Sequence, residues 1–108
     1  MLRAIRVAHT LIWAVLAASV LAIPVTALFN SFEWAIALSS LVLLECGILA
    51  WNGGRCPLTD WAARYTESRA DNFDIYLPNW LARHNKSIFG ALFLVGEAIL
   101  ALRWMTKL

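Results

Sequence analysis

Charge is scarce in this chain. Seven Asp and Glu and nine Lys and Arg stand among 108 residues, against 61% hydrophobic residues. A chain this short cannot bury that much apolar surface in water, so a water-soluble domain is excluded and an integral membrane protein is expected. The formal charge of +2 is small and interrupted by acids, which gives no ground for a nucleic-acid partner. Two cysteines, Cys46 and Cys56, are too few for a disulfide framework. There is no CxxC, no CxxCH and no pair of ligands at i and i+4, so the spacing carries no metal signature. The length allows a single domain, residues 1–108.

What remains is apolar helix. Residues 7–29 carry His9 as their one strongly polar side chain, and about 23 residues at 1.5 Å each cover about 34 Å, enough to cross a hydrocarbon core of about 30 Å. A secretory signal is the rival reading, with Arg3 and Arg6 as its basic start, but the apolar stretch is longer than a typical signal core. A second span is expected over 34–51 after a turn at Asn30, Ser31 and Glu33, and a third over 87–104. Tryptophans 34, 51 and 104 mark their ends as interfacial anchors would.

Residues 52–86 hold too many charges to cross. Gly53 and Gly54 are suited to end the second helix, and Pro57 to begin a new one. Leu58, Trp61, Ala62 and Tyr65 then share one face, with Asp60, Arg64 and Glu67 on the other. Phe73, Tyr76, Leu77, Trp80 and Leu81 repeat the spacing, with Pro78 as a kink. Two short amphipathic helices at the lipid interface are therefore expected, held by Trp61, Arg64, Tyr65, Trp80 and Arg83. The fold class is all-α, with three transmembrane helices and this interfacial loop. By the positive-inside rule the N-terminus and loop 52–86 face the cytoplasm, although Arg103 and Lys107 weigh against an outside C-terminus.

Arg55, Cys56, Pro57, Leu58 and Thr59, directly after a span and ahead of an aromatic residue, an arginine and a last span, resemble an uncharacterised family of small bacterial inner-membrane proteins that share a Cys-Pro-Leu-Thr motif. The resemblance covers about Trp51 to Trp104. It implies residence in a bacterial inner membrane and a similar layout, and it transfers no catalytic role.

Two groups of residues could carry chemistry. Glu97 lies near the middle of the third span and Glu45 in the second, where a carboxylate must be paired, hydrated or protonated. They are expected to form a proton or cation site, or to anchor helices through hydrogen bonds. His9, Cys56 and His84 fall at one membrane face by topology, and imidazole with thiolate is ligand chemistry for haem or a transition metal. Cys56 as a nucleophile would need a base, for which His84 is a candidate. Ala14, Ala18 and Ala22, with Gly90 on the third span, make small-residue surfaces for close helix packing.

The function expected from these features is that of a non-enzymatic membrane protein, acting through helix packing and contact with the lipid bilayer or other proteins. It would be a homo-oligomer or an accessory subunit of a membrane complex. A small carrier of ions, protons or electrons built on Glu45 and Glu97, with a haem or metal at His9, Cys56 and His84, is the alternative. A lipid-modifying enzyme resting on Cys56 is the third.

Overall fold

The computed structural model describes residues 1–107. It contains four helices: α1 (Leu2–Leu28), α2 (Phe32–Trp51), α3 (Pro57–Ala62) and α4 (Asn79–Lys107). Three of them, α1, α2 and α4, are long and apolar enough to cross a membrane. The described residues are helical or irregular, with no strand among them.

The breaks between helices follow local chemistry. Asn30 takes a left-handed backbone conformation with φ 61°, which Asn tolerates better than most residues, and the Ser31 amide donates back to the Thr26 carbonyl at 2.8 Å. At the end of α2, Gly53 and Gly54 both have positive φ, and the Gly54 amide closes onto the Leu49 carbonyl at 2.6 Å. Pro57 opens α3, where its missing N–H costs no helical bond. Asn52 ties this corner together, donating to the Arg55 carbonyl and to Asp60, each at 2.8 Å.

The second amphipathic helix is replaced by something else. Residues 71–77 form turns and bends, and Trp80 and Leu81 belong to the first turn of α4. Pro78 stands just ahead of α4 rather than inside a helix, since a proline disfavours helical backbone in the residue before it. This segment does not lie flat as a separate lid: Asp74 and Ile75 are buried, held on α1 by contacts described below. Helix α4 thus begins eight residues earlier than the expected third span.

Helix α1 packs against both α2 and α4, which run on either side of it, while α2 and α4 meet mainly at the end opposite the loop. There Phe32 and Trp104 stack edge to face at 5.4 Å, and Arg103 donates to the Asn30 side chain at 2.7 Å. Val20, Ile23 and Val42 form the interior, with Leu38, Phe89 and Phe93 against them. The close approach of α1 and α4 occurs at Gly96, which is buried with Pro24 and Ile23 beside it. At Gly90, the glycine expected to serve packing, nothing lies within 4 Å of an added Cβ. Ala14 and Ala18 are exposed and Ala22 is half-buried, so most of that stripe faces away from the bundle.

Candidate functional site

Arg6, His9, Thr10 and Trp13 follow one another at the i, i+3, i+4 and i+7 positions of one helical face. In the first turns of α1 this polar stripe receives the loop. Arg6 donates to the Asn72 and Ile75 carbonyls at 3.4 and 3.3 Å and lies 4.1 Å from the Tyr76 ring centroid. The Tyr76 amide donates to the Thr10 hydroxyl at 2.9 Å. Trp13 donates from Nε1 to Asn85 of α4 at 2.7 Å and meets Phe89 edge to face.

His9 is the centre of the stripe. Its Nδ1 lies 3.1 Å from the Asp74 carbonyl oxygen and 3.3 Å from Asp74 Oδ2, so a hydrogen on Nδ1 serves both acceptors. The Thr59 hydroxyl donates to the same carboxylate oxygen. Burial works to raise the Asp74 carboxyl, but hydrogen bonds with His9 and Thr59 outweigh it and hold the group below the usual carboxylate range. His9 and Cys56 both line one open cavity.

That cavity, of about 680 Å³, fills the gap where α2 and α4 stand apart at the loop end. Its inner wall is apolar, made by Leu16, Val20, Val42, Phe89 and Phe93. Its rim carries Arg55, Arg69, Arg83 and Lys86. Arg55 is paired with Asp60 at 3.1 Å and Arg83 with Asp71 at 2.9 Å. Arg69 and Lys86 bond backbone carbonyls instead, and among the described residues neither makes an ion pair.

The expected site residues fall into different places. His9 and Cys56 are together, but His84 is exposed and outside the cavity. The described residues hold no group of three or more His, Cys, Asp or Glu placed to grip a metal ion. Glu45 and Cys46 line the cavity, whereas Glu97 does not. Glu97 accepts a hydrogen bond from the buried Ser39 of α2 at 2.5 Å, a polar clasp between two apolar helices. Leu58 and Pro57 stand in α3 beside the site, and Trp61, Arg64, Tyr65 and Trp80 are exposed around it. Asp74, Arg6 and Thr10 gained no place as site residues from sequence, and Thr59 gained one only as part of the Cys-Pro-Leu-Thr turn, not as a partner of Asp74. The polar i, i+3, i+4, i+7 stripe at 6, 9, 10 and 13 is the signal that could have pointed to them.

The Ser39–Glu97 clasp makes a prediction. Glu97→Gln keeps an acceptor for Ser39 and is expected to leave thermal unfolding in detergent within about 0.5 kcal/mol of the parent. Glu97→Leu is expected to cost about 1 kcal/mol, the scale of an interhelical hydrogen bond in lipid. Equal unfolding of the two variants would show that the bond contributes nothing.

No family model, curated protein or solved structure matches the chain. Function is therefore read from the site's own geometry.

Proposed function

We propose that the chain is a three-span integral membrane protein that holds an anionic amphiphile, such as an acidic lipid, in the cavity at the loop end of the bundle. The observation that carries this is the cavity's division into an apolar inner wall and a cationic rim. An acyl chain suits the wall, and a phosphate suits Arg69 and Lys86, which are free of carboxylate partners among the described residues. Arg3, Arg6, Arg55, Arg64, Arg69, Arg83 and Lys86 all belong to the loop end by sequence, which supports a cytoplasmic position for it. The Cys-Pro-Leu-Thr resemblance supports a bacterial inner membrane as the location.

Native mass spectrometry of the protein in mild detergent tests the reading, with phosphatidylglycerol and phosphatidylcholine offered in competition. One phosphatidylglycerol per chain is expected. Reversing two rim charges, Arg69→Glu with Lys86→Glu, is expected to lower its affinity at least tenfold, at about 1 kcal/mol for each cation near a lipid surface. Equal uptake of both lipids by parent and variant defeats the proposal.

A second reading, contact with another copy or another subunit, rests on Ala14 and Ala18, which lie exposed on α1 and permit close approach of a further helix. Its test is the mass of the detergent-solubilised particle.

A further inference from the structure

Two acids lie inside the apolar spans, and only one of them is partnered. Glu97 is hydrogen-bonded to Ser39, whereas Glu45 makes no hydrogen bond or ion pair among the described residues. Glu45 stands about 9 Å along α2 from Trp51, at a depth where an uncompensated carboxylate is costly. Together with Ile12 and Leu16 of α1 it lines both the cavity and a second, outer groove of about 290 Å³. The other walls of that groove are Leu11 and Val15 of α1 and Leu41, Leu44 and Ile48 of α2, all exposed on the outside of the bundle. Glu45 is its single polar side chain.

That setting selects its ligand. A small metal cation binds where several oxygens replace its water, and one carboxylate among leucines and isoleucines cannot do that. An organic ammonium shielded by alkyl groups needs no such replacement: its charge answers the carboxylate, and its alkyl groups answer the apolar walls. The volume lies at the small end of the range for small-molecule sites, which suits one compact ion with short alkyl arms. No aromatic ring lines the groove, so aliphatic contact rather than cation–π stacking carries the fit. Arg55, Arg69, Arg83 and Lys86 repel such an ion at the cavity mouth, while no positive side chain lines the groove. Its way in is therefore sideways, from the bilayer.

We infer that Glu45 and the outer groove between α1 and α2 form a binding site for a hydrophobic organic cation of the alkylammonium class. This site goes beyond the amphiphile cavity and does not rest on it: the two share a wall and take ligands of opposite charge.

The test is equilibrium dialysis of tetrabutylammonium against the full chain in phosphatidylcholine nanodiscs, with uptake by empty nanodiscs subtracted. Saturable uptake of one ion per chain is expected. Glu45→Gln is expected to weaken it about tenfold or more, and Glu97→Gln to leave it unchanged, since Glu97 lines neither opening. Two larger side chains locate the ion. Val15→Trp, on the groove wall alone, is expected to lower affinity about tenfold, and Gly90→Leu, on the cavity wall alone, to leave it as in the parent; the reverse pattern puts the ion in the cavity and overturns the groove. Excess sodium chloride is expected not to displace the bound ion; competition by sodium overturns the organic-cation class. Equal uptake by parent and Glu45→Gln, or no saturable uptake at all, overturns the site and leaves the groove to lipid tails or to a helix of another chain. Glu45→Gln is nearly isosteric, and unchanged helical content by circular dichroism verifies its fold and that of Val15→Trp. Phosphatidylglycerol uptake is read in parallel, and its failure alone counts against the amphiphile reading while the cation site stands.

Discussion

Asp74→Ala is expected to release residues 71–77 from α1 and to lower stability by on the order of 3 kcal/mol, the scale of breaking a buried pair from one side. The carboxylate is buried between His9 and Thr59, and its loss leaves a ring and a hydroxyl short of an acceptor. The Asp74 backbone carbonyl stays as one acceptor for His9, which keeps the cost at the lower end of the range. Chemical unfolding in detergent gives the energy, and limited proteolysis between residues 64 and 70 gives the location. A variant that unfolds like the parent and stays protected there would mean that the loop is held by Arg6 and Thr10 alone.

The same carboxylate sets a dependence on acid. Its folded pKa lies below the ordinary 3.8, so the folded state binds this proton less readily than the unfolded chain. Its contribution is therefore complete above about pH 4 and declines as pH falls through the lower, folded value. Protease access to the loop is expected to rise only in that acid window, and Asp74→Asn is expected to abolish this component of the rise.

Gly96→Leu is expected to force α1 and α4 apart, at about 1–3 kcal/mol for an overpacked contact. A Cβ at this position would already meet Pro24 Cδ at 3.3 Å and Ile23 Cγ2 at 3.5 Å. Pro24 is a rigid ring inside the last turns of α1 and Ile23 is fully buried, so neither yields as a flexible chain end would. Gly90→Leu is the control: nothing lies within 4 Å there, and stability is expected to be unchanged or slightly higher, since Leu is the better helix former. The pair is compared by thermal unfolding in detergent. Equal effects at 90 and 96 would place the helix crossing elsewhere.

The long helices were legible because an apolar run of more than 18 residues has few other readings. The turns were legible too: Gly53, Gly54 and Pro57 act through their own backbone preferences, which need no distant partner. The docking of the loop was not. Asp74 is one acid among several in a charged segment, where the ordinary expectation is solvation. Its burial is decided by His9, 65 residues away in the chain. Arg6 read as an orientation signal, yet its guanidinium holds two loop carbonyls. His9 and Cys56 were both singled out, but topology could not say which third residue joins them. His84 shares their end of the bundle and is turned outward, because α4 begins early and sets its register through Trp13, Asn85 and Phe89.

The bonds that hold the loop and the start of α4 on α1 join residues 65 to 72 apart, whereas α1 and α2 are joined by a three-residue turn. On a chain made from its N-terminus, the α1–α2 hairpin is complete while the whole of α4 is still to be synthesised. Its contacts close a short loop, and those of the site close long ones. His9, Cys56, Thr59 and Asp74 are therefore all made before α4, and the last helix to arrive supplies a wall of their cavity through Asn85, Phe89, Gly90 and Phe93. A chain that stalls before α4 has its apolar hairpin and the loop that docks on α1, but an open groove where the finished bundle has a cavity.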